Sequence, residues 1–154
     1  MPHFGLIDEE KLGPIQGPLM RSRLHIRGGR RRIISGDIAN GILALYDALT
    51  SAMDFYLASH QELRDRLIGA GEDMLSDRNL FLAFQKNGII PENLEWQELD
   101  FAVQLALGRN MGNYNWRKLA GKLEECYVWL EAAPFDEGEL PAPQPEPFLP
   151  GKTA

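Results

Sequence analysis

Apolar residues recur along this chain at steps of three and four, and almost nowhere at steps of two. The stretch GDIANGILALYDALTSAMDFYLAS, starting at Gly36, shows the pattern most fully. Ile38, Ile42, Leu45, Leu49, Ala52 and Tyr56 fall on one side of a 3.6-residue period, while Asn40, Asp47 and Asp54 mark a narrow polar strip. Most of the remaining circumference is apolar, so this helix must lie between neighbours in a bundle. Asp37 is placed to cap its first turn, and Gly36 to end whatever precedes it.

Two later segments repeat the pattern. NLEWQELDFAVQLALG carries Trp96, Leu99, Val103 and Ala106 in register, with Asn93 as the expected cap. WRKLAGKLEECYVWLEAA sets Leu119, Leu123, Cys126, Leu130 and Ala133 on one stripe, with Trp116, Ala120 and Tyr127 beside it. Between them, HQELRDRLIGAGEDMLSDRNLFLAFQKNGIIP supports two shorter helices. Gly69 and Gly71 break the first; Asp77 is the expected cap of the second, which Gly88 and Pro91 stop.

The stretch MRSRLHIRGGRRRII, Met20 to Ile34, admits two readings. RLHIR, GG and RRRII have the look of a β-hairpin. The alternative is a helix from about Gln16 to Ile34, with Met20, Leu24, Gly28, Arg31 and Ile34 on one side and Arg23, Arg27 and Arg30 on another. Two central glycines disfavour that helix by about 2 kcal/mol relative to alanines. A lone hairpin is marginal in water, however, and no other segment offers a third strand. A helix here, then the turn SGD, then a second helix makes an αα-hairpin in which glycine lets a neighbouring backbone come close. The helix is the favoured reading, and the hairpin stays open.

Together these elements predict an all-α, single-domain bundle of about five helices over residues 15–133, after an N-terminal extension over 1–14. The chain of 154 residues is long enough for one such core. Residues 134–154 hold six of the ten prolines and four acids, which predicts an extended, partly polyproline tail outside the core, with Phe135, Phe148 and Leu149 as apolar residues by which it could dock. No apolar run is long enough for a membrane-spanning helix. The N-terminus has early acids and no apolar signal region. One cysteine, Cys126, rules out an intrachain disulfide, and three scattered histidines make a structural zinc site unexpected. A reducing cytoplasm, with no metal or cofactor, is the expected setting.

Charge changes the picture at one place. The formal net charge is −6, yet residues 14–34 carry +6. A bulk excess of acid argues against a protein that coats nucleic acid. It leaves open a local anion site built from Arg23, Arg27, Arg30, Arg31 and His25. The competing reading pairs Arg23, Arg27 and Arg30 with Asp47 or Asp54 across the helical hairpin, or with acids of a second subunit. That reading is favoured, because the block lacks the interleaved aromatics of a single-strand platform. Asp37, Asp47 and Asp54 read as a cap and two charge partners rather than metal ligands. Cys126, on an apolar stripe, reads as core.

RRIISGDIANGILALYDALTSAM is similar to the leading helical hairpin of HEPN domains, and LALGRNMGNYNWRKLAGKLEECYVWL resembles the other half of that fold. The likeness spans about residues 15–133. In catalytic HEPN ribonucleases an arginine, commonly followed by a polar residue, has a histidine a few positions on. Here Arg109 and Asn110 match, and Tyr114 stands where the histidine is wanted. Tyrosine, with an ordinary pKa of about 10, is a poor proton carrier at neutral pH. The resemblance therefore implies a non-catalytic binding or assembly module of prokaryotic type, a homodimer, working beside a nucleotidyltransferase. Two alternatives remain: a metal-independent ribonuclease using Arg109 with Tyr114 or a distant histidine, and a purely structural helical interaction protein. No 34-residue repeat of the tetratricopeptide kind is visible, which counts against the last.

Overall fold

The computed structural model describes residues 7–143, and among them every regular element is helical. The described residues form six α-helices where about five were expected: α1 (Glu9–Ile34), α2 (Ile38–Ser59), α3 (Gln61–Gly69), α4 (Asp77–Lys86), α5 (Trp96–Leu107) and α6 (Trp116–Trp129). The arginine-rich stretch is helix, and the hairpin reading is excluded. Asp8 caps the first turn of α1, which breaks at Gly13 and restarts at Pro14, a residue suited to a first helical position. Residues 9–12, expected in the N-terminal extension, thus belong to α1, and Glu9 reaches Arg21 at 3.0 Å.

Of the two glycines that argued against a helix, Gly29 has a packing reason, which it shares with Gly41 of α2. A Cβ on Gly29 would stand 2.8 Å from Leu45 Cδ2 and 3.1 Å from the carbonyl oxygen of Gly41. A Cβ on Gly41 would stand 2.5 Å from Ile33 Cγ1 and 3.1 Å from the Gly29 carbonyl oxygen. The antiparallel α1 and α2 therefore cross backbone to backbone at this pair, after the turn closed by Gly36 (φ 91°) and the Asp37 cap. Further along, Ser22 Oγ donates to the Ala48 carbonyl at 2.8 Å.

Helix α2 is the hub, packing against the other five. Ile42, Leu45, Leu49, Ala52 and Met53 are fully enclosed, with Phe81 and Phe84 of α4, Leu99 of α5, and Leu119, Leu123 and Tyr127 of α6. Tyr127 donates its hydroxyl proton to the Leu45 carbonyl oxygen. Cys126 is fully buried among these side chains, as its stripe implied.

Two caps differ from expectation. Ser76, not Asp77, caps α4 by accepting from the Asn79 amide at 3.2 Å. Asp77, one residue inside, accepts from Tyr46 Oη at 3.1 Å. Helix α5 begins after Glu95 rather than Asn93, because Leu94 is buried in the core and holds the preceding turn there. Asn93 instead donates from Nδ2 to Glu125 at 3.3 Å.

The segment after α6 is the larger correction. Residues 134–143 do not extend away from the core but lie across α1. Leu140 is buried, Glu137–Glu139 form a 3-10 turn, and the Phe135 ring sits between the guanidiniums of Arg23 and Arg30, 5.3 and 5.5 Å from its centroid. Phe148 and Leu149, the other expected docking groups, lie outside the described residues.

Candidate functional site

Three places hold the chemistry singled out by the sequence or the shape. The first is the face of α1 turned away from α2. Arg23, Arg27 and Arg30 follow steps of four and three, so they share that face. Arg23 donates from Nε to the Ala132 carbonyl at 3.0 Å, and Arg27 donates to the Pro141 carbonyl. Arg30 holds Glu124 with two bonds of 2.8 and 2.7 Å, and meets Glu137 at 3.5 Å. The expected partners were Asp47 and Asp54; these lie on the other side of the α1–α2 pair. It is Arg21, two residues before Arg23 and so on the opposite side of α1, that meets Asp54 at 2.9 Å and also donates to Ser51 Oγ.

The electrostatics match this engagement. Burial lowers the pKa of Arg23, with Glu139 opposing. Burial followed by Arg31 lowers that of Arg27, which is only 4% exposed. The hydrogen bonds to Glu124 raise that of Arg30 despite burial. Arg31 points to solvent, and His25 is enclosed within α1 at 1% exposure. A phosphate therefore meets no open row of guanidiniums here. The structure does not assemble Arg23, Arg27, Arg30, Arg31 and His25 into one accessible site.

The second place is the α5–α6 loop. Arg109 is exposed, has a left-handed backbone (φ 54°), and reaches Asn40 Oδ1 at 3.4 Å. Asn110 is exposed, and its amide closes the end of α5 on the Leu105 carbonyl at 2.9 Å. Tyr114 is half-buried, edge-on to Phe101 with centroids 5.9 Å apart. Burial, then Glu98, raises its pKa above the ordinary tyrosine value, which takes it further from proton transfer at neutral pH. His60 caps the opposite end of α2 from Asn40, about 30 Å away at 1.5 Å per residue. His25 is closed to solvent. Among the described residues no histidine joins Arg109 at the surface.

The third place was not foreseen. A cleft of about 700 Å³ opens at the α2–α3 junction, lined by Tyr56, His60, Arg66, Asn87, Ile89 and Trp129 among others. A second of about 430 Å³ adjoins it across Gly88 and Trp129. His60 stacks on Tyr56 at 3.8 Å and 7°. Its Nε2 faces Glu131 at 3.3 Å, and its Nδ1 lies 3.1 Å from Ser59 Oγ and 2.9 Å from the Tyr56 carbonyl oxygen. This has the composition of a serine–histidine–glutamate set but not its wiring. The Tyr56 carbonyl can only accept, so Nδ1 carries the proton and cannot take one from Ser59. Ser59 in turn donates within its own helix, to Phe55 at 2.9 Å. The cleft is built from the ends of α2, α3, α4 and α6, which no sequence period brings together. Its one sequence signal is Trp129, an apolar residue off the core stripe of α6 and 46% exposed.

Glu131 and Arg109 share a feature. Where α1, α3 and α4 close on Gly36, Gly71 and Gly88, α5 and α6 put a charged side chain at the positive-φ position. Each such residue costs about 1 kcal/mol or more in backbone strain. Each latches one end of α2: Arg109 at Asn40, Glu131 at His60.

Among the described residues no group of three or more His, Cys, Asp or Glu is placed to hold a metal ion, and no helix is long and apolar enough to cross a membrane. In comparisons with family models, with curated proteins and with solved structures, nothing matches this chain.

Proposed function

We propose that this chain is a non-catalytic helical binding and assembly module of the HEPN kind, acting in a prokaryotic cytoplasm as a homodimer and serving beside a nucleotidyltransferase. The observation that supports the non-catalytic half is the isolation of Arg109. It has a phosphate-binding charge, but the side chain it meets is Asn40, the tyrosine that stands in the histidine position has a raised pKa, and the nearest open histidine among the described residues is at the far end of α2. Metal-independent RNA cleavage needs a group that moves protons near neutral pH. The engagement of Arg23, Arg27 and Arg30 by the chain's own carbonyls and carboxylates supports the same reading.

The test is incubation of the full chain with a labelled single-stranded RNA in the presence of a chelator. No cleavage is expected. Cleavage that disappears in Arg109→Ala would install the ribonuclease reading instead. If no nucleotidyltransferase is encoded beside this chain or co-purifies with it, that partner is dropped and only the self-assembly half of the proposal stands.

A further inference from the structure

Arg21, Arg30 and Lys122 pair with acids of this chain; the cations on the outer face of α6 have no such partner among the described residues. Arg117 and Lys118 are exposed and make no ion pair among the described residues, Arg117 lying instead over the Trp116 ring at 4.4 Å. One turn beyond Arg117 comes Gly121, and one turn beyond that comes Glu125, exposed and accepting from the Asn93 side-chain amide. Val128 continues the line at 53% exposure, and Phe101, 55% exposed, flanks it through Tyr114. A Cβ on Gly121 would meet nothing within 4 Å. The two helical glycines at the α1–α2 crossing have a neighbouring backbone to explain them, whereas this one lowers helix stability relative to alanine with no neighbour among the described residues.

We propose that this face is a two-fold interface with a second copy of the chain, the two α6 helices crossing antiparallel at Gly121. In such a crossing, residues equally far from Gly121 on either side meet. Arg117 then faces Glu125 of the second copy, and Glu125 faces its Arg117. The charges along α6 run from basic to acidic, so an antiparallel pair is self-complementary and a parallel pair repels, as a closed two-fold contact requires. Glycine at the crossing lets the backbones approach as they do at Gly29 and Gly41. This deepens the assembly reading above and rests on its homodimer.

Sedimentation equilibrium of the full chain over a concentration series tests it, with circular dichroism confirming that each exposed-site variant is folded. The wild type is expected to dimerise. Arg117→Glu and Glu125→Arg each place two like-charge contacts at the axis, and each should weaken self-association about 100-fold or more. The double variant R117E/E125R should restore it. An equimolar mixture of the two single variants should form a heterodimer that neither forms alone. Gly121→Leu should fold as a monomer and dimerise less. A wild type that stays monomeric overturns both this interface and the homodimer reading. A dimer indifferent to Arg117→Glu overturns the interface alone.

Discussion

Replacing Gly29 by alanine puts one methyl group into the α1–α2 crossing. Alanine favours a helix interior over glycine by about 1 kcal/mol, so on an isolated helix the change would stabilise. Here the new Cβ lies 2.8 and 2.9 Å from two carbons of Leu45, which is fully buried, and 3.1 Å from a backbone oxygen of α2. Neither neighbour can swing into solvent, so the helices must separate or Leu45 must leave its rotamer. Overpacking of this kind costs about 1–3 kcal/mol, and the two close contacts put Gly29→Ala towards the upper end. The net expectation is a loss of about 1–2 kcal/mol, or a melting point lower by about 2–8 °C for a chain of this size. Urea unfolding followed by circular dichroism measures the free energy directly. Gly69→Ala, where a Cβ meets nothing within 4 Å, is the control and should be neutral or slightly stabilising. A Gly29→Ala protein as stable as the wild type would refute the close crossing and the packing reason for the glycine.

Three other outcomes are expected. The Cys126 thiol, pushed up to about 12 mainly by burial, should resist a thiol reagent at pH 8 until urea unfolds the chain; labelling at the native rate of a free thiol would show an open site. Burial, then Asp77, raises the pKa of Asp47, so the folded state holds that proton more tightly than the unfolded chain. Ionisation as pH climbs from the ordinary aspartate value of about 4 through the raised one therefore removes stability. The advantage of Asp47→Asn over the wild type in melting temperature should grow from about pH 3 to pH 7, and a constant difference would contradict the burial. Ending the chain at Ala133 removes Leu140, Phe135 and Glu137 from α1 and should lower stability by about 3 kcal/mol; an unchanged melting temperature would restore the reading of this segment as a tail outside the core.

Local features were legible in the sequence and distant ones were not. The period of α2, the Asp37 cap and the burial of Cys126 each depend on residues within a turn or two, and the sequence shows them directly. The helix caps at Asn93 and Asp77 were misplaced by one or two positions, because Leu94 and Ser76 answer to packing and to geometry that a preference scale does not carry. Pairing of Arg23, Arg27 and Arg30 with Asp47 or Asp54 was expected, and the structure gives them other partners. Asp54 belongs to Arg21, while Arg23, Arg27 and Arg30 look to Glu124, Ala132, Glu137 and Pro141, about a hundred residues on. Which face of α1 those residues reach is decided by how α6 leaves the bundle. The cleft beside Trp129 was illegible for the same reason, being made of four helix ends.

If the arginines of α1 serve only the molecule's own architecture, a single-stranded RNA finds no row of phosphate ligands on it. Titration of a fluorescent single-stranded RNA into the full chain, at about 50 and about 150 mM salt, measures this directly. The expected result is weak binding at low salt that vanishes at moderate salt. Micromolar affinity persisting at moderate salt, with a salt slope that counts several phosphates, would contradict it.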